Sequence, residues 1–195
     1  MSRPHLIGLT GSIGMGKSTA ARMFRDAGIP VWDADAAVHE LYKNGGAAVA
    51  PIRALRPEAV GPDGVDRQKL NAWIAENPDA LALIEGVVHP MVAKNRQSFI
   101  DAAEADLVVL DIPLLFETGG EDRVDTVVVV SAPEEVQRAR VLDRPGMTEA
   151  RLDHILSKQL PDDEKRGRAD VVVPTVTMDE TRDHITALIE RLRHA

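Results

Sequence analysis

Short apolar runs alternate with longer stretches of helical period along this chain, and the alternation predicts an α/β fold. His5–Thr10 (H-L-I-G-L-T), Ile29–Trp32, Asp106–Asp111, Val124–Ser131 and Ala169–Pro174 are the runs of strand length, the fourth β-branched through its centre. After the first of them, Lys17–Ala27 sets Ala20, Met23, Phe24 and Ala27 at helical spacing and stops at Gly28. After the fourth, Ser131-Ala-Pro-Glu134 has the spacing of a capping box. Thr148 is placed to cap a helix bearing Leu152, Ile155 and Leu156, and Thr177-Met-Asp-Glu180 opens a last helix with Ile185, Leu188, Ile189 and Leu192. Strands mostly followed by helices predict a doubly wound, five-stranded parallel sheet.

The period changes after the second strand. A helix carrying Val38, Leu41 and Tyr42 ends at Asn44-Gly45-Gly46, and from there to about Asp106 only helical patterns follow. Asp66 is placed to cap a segment with Leu70, Trp73 and Ile74, and Asn77-Pro78 breaks it. Leu81, Ile84, Val87 and Val88 lead to His89-Pro90, beyond which a further helix carries Val92, Phe99, Ile100 and Ala103. The chain therefore divides into a core domain, residues 1–35 and 106–195, and a helical insert, residues 36–105. Within the core, residues 138–168 form a helical hairpin turned at Pro145-Gly146.

Chemistry enters between the first strand and the first helix. Gly11-Ser12-Ile13-Gly14-Met15-Gly16-Lys17-Ser18, followed by Thr19, has the G-x-x-x-x-G-K-[ST] spacing of a phosphate-binding loop. Glycines at 11, 14 and 16 let main-chain N–H groups close around phosphate oxygens. Lys17 places a compact positive charge on the β- and γ-phosphates of a nucleotide, the Ser18 hydroxyl ligates a bridging Mg²⁺, and the helix adds its positive end. ATP as co-substrate and Mg²⁺ as cofactor are the expectation.

Further carboxylates fall where such a site needs them. The second strand runs into Asp33-Ala34-Asp35, at the end of the sheet where parallel strands present functional loops. An aspartate there can align an attacking hydroxyl and take its proton; equally, one of the two can cap the next helix. Phosphoryl transfer has a loose transition state, so alignment matters more than base strength. Asp111 ends the most apolar strand and reads as a carboxylate that holds Mg²⁺ through water. Leu114, Leu115 and Phe116 then offer either a flat apolar surface or core. His89, beside a proline, fits a helix junction or an anion contact.

Net charge separates the hairpin from the rest of the chain. The chain carries −8 overall, yet residues 138–168 hold eight Lys/Arg against six Asp/Glu, leaving 15 against 25 elsewhere. A basic hairpin on an acidic protein suggests a lid closing on polyphosphate, with Arg140 and Arg144 as its working cations; a solvated charged face is the alternative. The acidic balance argues against nucleic acid as a partner, and no apolar stretch approaches a membrane span. With the apolar run before Gly11 too short for a signal peptide and no cysteine in the chain, a cytoplasmic protein is expected, a monomer being favoured.

Taken together, these motifs resemble the dephospho-CoA kinase family, within the P-loop nucleoside-triphosphate hydrolase superfamily. The resemblance runs through Gly8–Gly14 (G-L-T-G-S-I-G) into Gly16-Lys17-Ser18, Asp33-Ala-Asp35, His89-Pro90, the distinctive Pro113–Glu117 (P-L-L-F-E), Arg140-x-x-x-Arg144, Gln159 and Ala169-Asp170. It implies a P-loop, nucleotide-kinase-like fold with an acceptor-binding insert and a lid. The implied reaction moves the γ-phosphoryl of ATP to the ribose 3′-hydroxyl of dephospho-CoA, giving CoA and ADP. By the same resemblance Asp33 is the base, and Lys17 and Arg140 stabilise the transferring charge. Gly11, Ile13, Gly14, Met15, Gly16, Lys17, Ser18, Thr19 and Arg144 hold ATP. Thr10, Asp33, Asp35, His89, Leu115, Phe116 and Glu117 lie on the acceptor side, and Ser18 and Asp111 serve the metal. Two places depart from the family's pattern: His154 stands where arginine is usual, and Pro174-Thr-Val-Thr177 replaces an asparagine and glycine turn. Rival readings are a shikimate or nucleoside kinase on the same scaffold, and a nucleotide-gated regulatory NTPase. Against a GTPase switch, none of Asn44, Asn71, Asn77 and Asn95 is followed by the lysine of a guanine-reading N-K-x-D element.

Overall fold

The computed structural model describes residues 3–194. The chain begins with β1 (His5–Thr10), α1 (Lys17–Asp26), β2 (Val31–Asp33), α2 (Ala34–Tyr42) and α3 (Val49–Leu55), then β3 (Val60–Gly61), β4 (Gly64–Val65), α4 (Arg67–Glu76) and α5 (Ala80–Asp101). It returns through β5 (Leu107–Asp111), β6 (Thr126–Ser131), α6 (Glu134–Leu142), α7 (Glu149–Leu156), α8 (Asp162–Arg168), β7 (Val171–Pro174) and α9 (Met178–Arg193). Two compact units result: one takes the chain through Trp32 and again from Ala103 onward, and the other is Asp33–Ala102. Hereafter these are the outer and inner units, named only for their order along the chain.

The sheet is ordered β2-β5-β1-β6-β7, with β1 pairing in parallel to β5 and β6, and β6 to β7. Every residue of β5 and β6 is buried, as sheets covered on both faces demand. The period of two then sorts the valines of β6. Val128 and Val130 face Ala20, Met23 and Phe24 of α1 and Ile185, Leu188 and Ile189 of α9, while Val127 and Val129 pack with Leu115 and Phe116. α1 ends at Asp26 with Ala27 as its C-cap, and Gly28 follows at φ 77°, the left-handed exit expected at that position.

The inner unit closes on its own core of Leu41, Ile52, Leu70, Trp73, Ile84 and Val88. The guanidinium of Arg56 lies 6.0 Å from the Trp73 ring centre, and that of Arg67 lies 5.5 Å from the Tyr42 ring centre. Two features depart from the sequence pattern. A small antiparallel ladder, β3 with β4, stands where only helices are predicted; two-residue strands are too short to carry a period of two. It is closed by Gly64 at φ 106°, where a Cβ would lie 2.1 Å from the Tyr42 carbonyl oxygen. Second, α5 runs through Pro90 as one helix of 22 residues rather than breaking at His89-Pro90. Proline removes one helical hydrogen bond, while buried Ile84 and Val88 before it and Ile100 after it keep both halves packed.

Capping follows the sequence at Asp66, Thr148 and Thr177, whose side chains accept backbone N–H groups of α4, α7 and α9. It fails at Ser131: α6 begins after Pro133 with no side-chain cap, and the Ser131 hydroxyl instead donates to Asp162 Oδ2 at 2.6 Å. A tertiary carboxylate outcompetes the local box there. Among the described residues no helix is long and apolar enough to cross a membrane.

Asp66 Oδ1 accepts from the N–H groups of Gln68 and Lys69, so Asp66→Ala removes two cap bonds from α4. The expected loss is about 1 kcal/mol, a fall of roughly 2–4 °C in the melting temperature of the full chain, with Asp66→Asn retaining most of it.

Candidate active site

Gly14 and Gly16 give the loop between β1 and α1 its shape. Their φ angles are 79° and 84°, in the left-handed region, and a Cβ on Gly14 would stand 2.5 Å from Val141 Cγ2. Gly16 is also the N-cap of α1, with no side-chain cap, and the first turn holds no acidic residue. The positive end of a ten-residue helix thus meets the loop with its N–H donors uncovered by side chains, the arrangement that receives phosphate.

Side chains from the far end of the chain hold this loop. Gln137 Nε2 donates to the Ile13 carbonyl oxygen at 2.7 Å, and the Ile13 N–H donates to Gln159 Oε1 at 3.1 Å. The Thr175 hydroxyl donates to the Met15 carbonyl oxygen at 2.9 Å, and Met15 Sδ accepts the Ala132 N–H at 3.1 Å. Lys17 Nζ forms an ion pair with Asp111, whose side chain is 4 % exposed. Ser18 is exposed and Thr19 half-buried on the same first turn. The Ser18 hydroxyl and the Asp111 carboxylate are hard oxygen donors. Among the described residues there is no cluster of three or more His, Cys, Asp or Glu able to enclose a metal. That donor set suits a cation retaining water and phosphate oxygens.

The cations of residues 138–168 sort by their partners. Arg138 pairs with Glu149 and with Asp153, the latter at 3.2 Å, tying α6 to α7. Arg168 pairs with Glu121, and its guanidinium lies 4.6 Å from the Phe116 ring centre. Arg140 turns toward the loop after β7: its Nη2 donates to the carbonyl oxygens of Thr175 at 2.6 Å and Val176 at 3.3 Å. Arg144 and His154 are exposed.

The residues after β5 correct part of the expected acceptor surface. Leu115 and Phe116 are 0 % and 5 % exposed, so they belong to the core, and only Leu114, at 41 %, faces solvent. The turn tucks them beneath Val127 and Val129. The Thr10 hydroxyl is spent on the Pro113 carbonyl oxygen at 3.1 Å. Glu117 accepts the Leu160 N–H at 2.8 Å and pairs at 2.9 Å with Lys165, which is completely buried.

Asp33, Asp35 and His89 belong to the inner unit. Asp33, not Asp35, caps α2: its Oδ1 accepts the Ala36 N–H at 3.0 Å, using one carboxylate oxygen, while Asp35 is exposed in the first turn. His89 is exposed on α5. The sequence reading missed Gln137 and Thr175. Thr175 could have been flagged by its place just past the carboxyl end of a strand; Gln137, inside a helix, carries no such signal.

The profile of the dephospho-CoA kinase family matches residues 5–179. This chain belongs to the dephospho-CoA kinase family. It is 55 % identical over 187 residues to the dephospho-CoA kinase of Ruegeria pomeroyi, covering 96 % of this chain and 95 % of that one. A Thermus thermophilus crystal structure superposes with a TM-score of 0.87 at 36 % identity, over 98 % of this chain and 99 % of that chain. The dephospho-CoA kinase of Campylobacter jejuni shares the fold at a TM-score of 0.67 and 20 % identity, over 98 % of each chain.

In this dephospho-CoA kinase family member the Pro113–Glu117 motif ends on an ion pair in which the Lys165 ammonium is fully buried and Glu117 reaches it from the surface. Burial pushes the Glu117 carboxyl up, but the Lys165 ammonium 2.9 Å away and the hydrogen bond from the Leu160 N–H outweigh it, holding it below the usual carboxylate range. A depressed carboxyl stabilises the fold fully above its ordinary value of 4.5, and that stability is lost as pH falls through the folded-state value. Glu117→Gln strands the Lys165 ammonium, and the expected loss is about 3 kcal/mol at neutral pH in denaturant unfolding. As pH falls below 4.5 the variant is expected to lose less further stability than the parent.

Proposed function

We propose that this chain transfers the γ-phosphoryl group of ATP to the ribose 3′-hydroxyl of dephospho-CoA, giving CoA and ADP, the last step of CoA synthesis. The observation that carries the reading is the side-chain-uncapped N-terminus of α1 behind left-handed Gly14 and Gly16, with Lys17 held by Asp111, in a chain belonging to this family.

The residues divide the work by their chemistry. Gly11 and the stretch from Ile13 to Thr19 hold the triphosphate through main-chain N–H groups, and Lys17 neutralises charge on the moving phosphoryl group. Ser18 and Asp111 fit Mg²⁺, which when bound supplies charge neutralisation on the β- and γ-phosphate oxygens. Arg140 and Arg144 contribute cations from the lid. Asp33 orients the acceptor hydroxyl and takes its proton as the new phosphate ester bond forms and the bond to the ADP oxygen breaks; its position at the end of β2 supports this role. Asp35 and His89 face the acceptor. Thr10, Leu115, Phe116 and Glu117 shape the acceptor side through the packing of the Pro113–Glu117 turn. The enzyme works as a cytoplasmic monomer on small molecules, without nucleic acid or membrane.

Purified protein with Mg-ATP is expected to release ADP when dephospho-CoA is supplied. Phosphorylation of shikimate or a nucleoside in its place, in a panel of acceptors, would overturn the assignment. Asn caps helices as well as Asp does, so Asp33→Asn keeps the start of α2 and removes only the charge. Turnover is expected to fall by about a hundredfold or more with ATP affinity little changed; a near-normal rate would remove Asp33 from the mechanism.

A further inference from the structure

Thr175 follows β7 directly and is 5 % exposed. Its contacts gather three separate parts of the outer unit. Its N–H donates to the Ser131 carbonyl oxygen at 2.9 Å, prolonging the β6–β7 ladder. Its hydroxyl lies 2.9 Å from the Met15 carbonyl oxygen and 3.2 Å from that of Ser131. A hydroxyl has one hydrogen to give; Ser131 already receives the Thr175 N–H, so Met15 is the partner that depends on it. The side chain also backs the next loop residue, since a Cβ built on Gly16 would stand 3.1 Å from both Thr175 Cβ and Oγ1.

The same residue meets the lid. Its carbonyl oxygen accepts Arg140 Nη2 at 2.6 Å, and Arg140 Nη1 lies 3.5 Å from its hydroxyl oxygen. A guanidinium has five N–H groups, and these bonds orient it while others remain for an anion.

We propose that Thr175 is a positioning residue that fixes the curvature of the phosphate loop at Met15 and Gly16 and seats Arg140 against that loop, so the two respond to nucleotide as one device. The Thr175 hydroxyl carries the loop half of this coupling and its main-chain carbonyl carries the arginine half. The inference rests on reading Gly11–Ser18 as a nucleotide cradle and is independent of the acceptor's identity.

Mg-ATP binding to the full chain, measured by calorimetry without acceptor, tests it. Thr175→Val keeps the side-chain shape and removes the hydroxyl, and is expected to weaken Mg-ATP affinity about tenfold, whereas Thr175→Ser stays within about twofold of the parent. Should the valine protein fail to fold, Thr175→Ala against Thr175→Ser makes the same comparison, both lacking the methyl group. Arg140→Lys is expected to weaken affinity on the parent background and to add far less on the Thr175→Val background. A purely structural threonine would reduce the active fraction and leave the dissociation constant alone. An unchanged dissociation constant in the folded hydroxyl-less variant, or multiplicative effects of the two substitutions, overturns the proposal. If the parent binds Mg-ATP but phosphorylates no dephospho-CoA, the acceptor assignment fails and the binding comparison still decides the role of Thr175.

Discussion

The positive end of α1 is the constraint around which the outer unit is arranged. A helix leaves its first N–H groups without intrahelical partners, and here neither a side-chain cap nor an acidic residue in the first turn answers them. Such an end is compatible with a stable fold when those donors meet water or an anion, and the surrounding chemistry favours the anion. Lys17 adds charge, while Asp111, at the end of a wholly buried strand, supplies that lysine with a countercharge inside the protein. The rest of the outer unit then serves to hold a glycine-rich segment in one shape. Gln137, Gln159 and Thr175 bind its carbonyl and N–H groups from helix α6, from the turn before α8 and from the loop after β7.

Much of this was legible in the sequence because it is local. The phosphate loop, the strand before it and the helix after it lie within about twenty residues, and each residue type there answers a need set by its immediate neighbours. The five strands of the main sheet were equally legible, because strands buried between two layers read as continuous apolar runs, Leu107–Asp111 and Thr126–Ser131 most plainly. The caps at Asp66, Thr148 and Thr177 likewise depend only on a few adjacent residues.

What stayed hidden depends on contacts between distant residues. The Ser131 box has the right spacing and loses its hydroxyl to Asp162, a partner that only the packed fold brings near. Pro90 carries a strong local signal for a helix break, and the apolar residues on either side override it. Leu115 and Phe116 could be surface or core on pattern alone; burial against Val127 and Val129 decided for core. Counting charges found a basic hairpin, but the count could not show that Arg138, Lys165 and Arg168 are answered by carboxylates while Arg140 is seated on main-chain oxygens. Pattern alone favours Asp35 over Asp33 for the cap and Asp33 for function, whereas the register of α2 gives the cap to Asp33.

The inner unit's self-contained core has an evolutionary consequence. Leu41, Ile52, Trp73 and Ile84 satisfy one another without borrowing an apolar neighbour from the sheet. Substitutions on the exposed face of that module therefore leave the apolar packing of the sheet untouched. Exposed positions among its about seventy residues can drift without opening a cavity beneath the sheet.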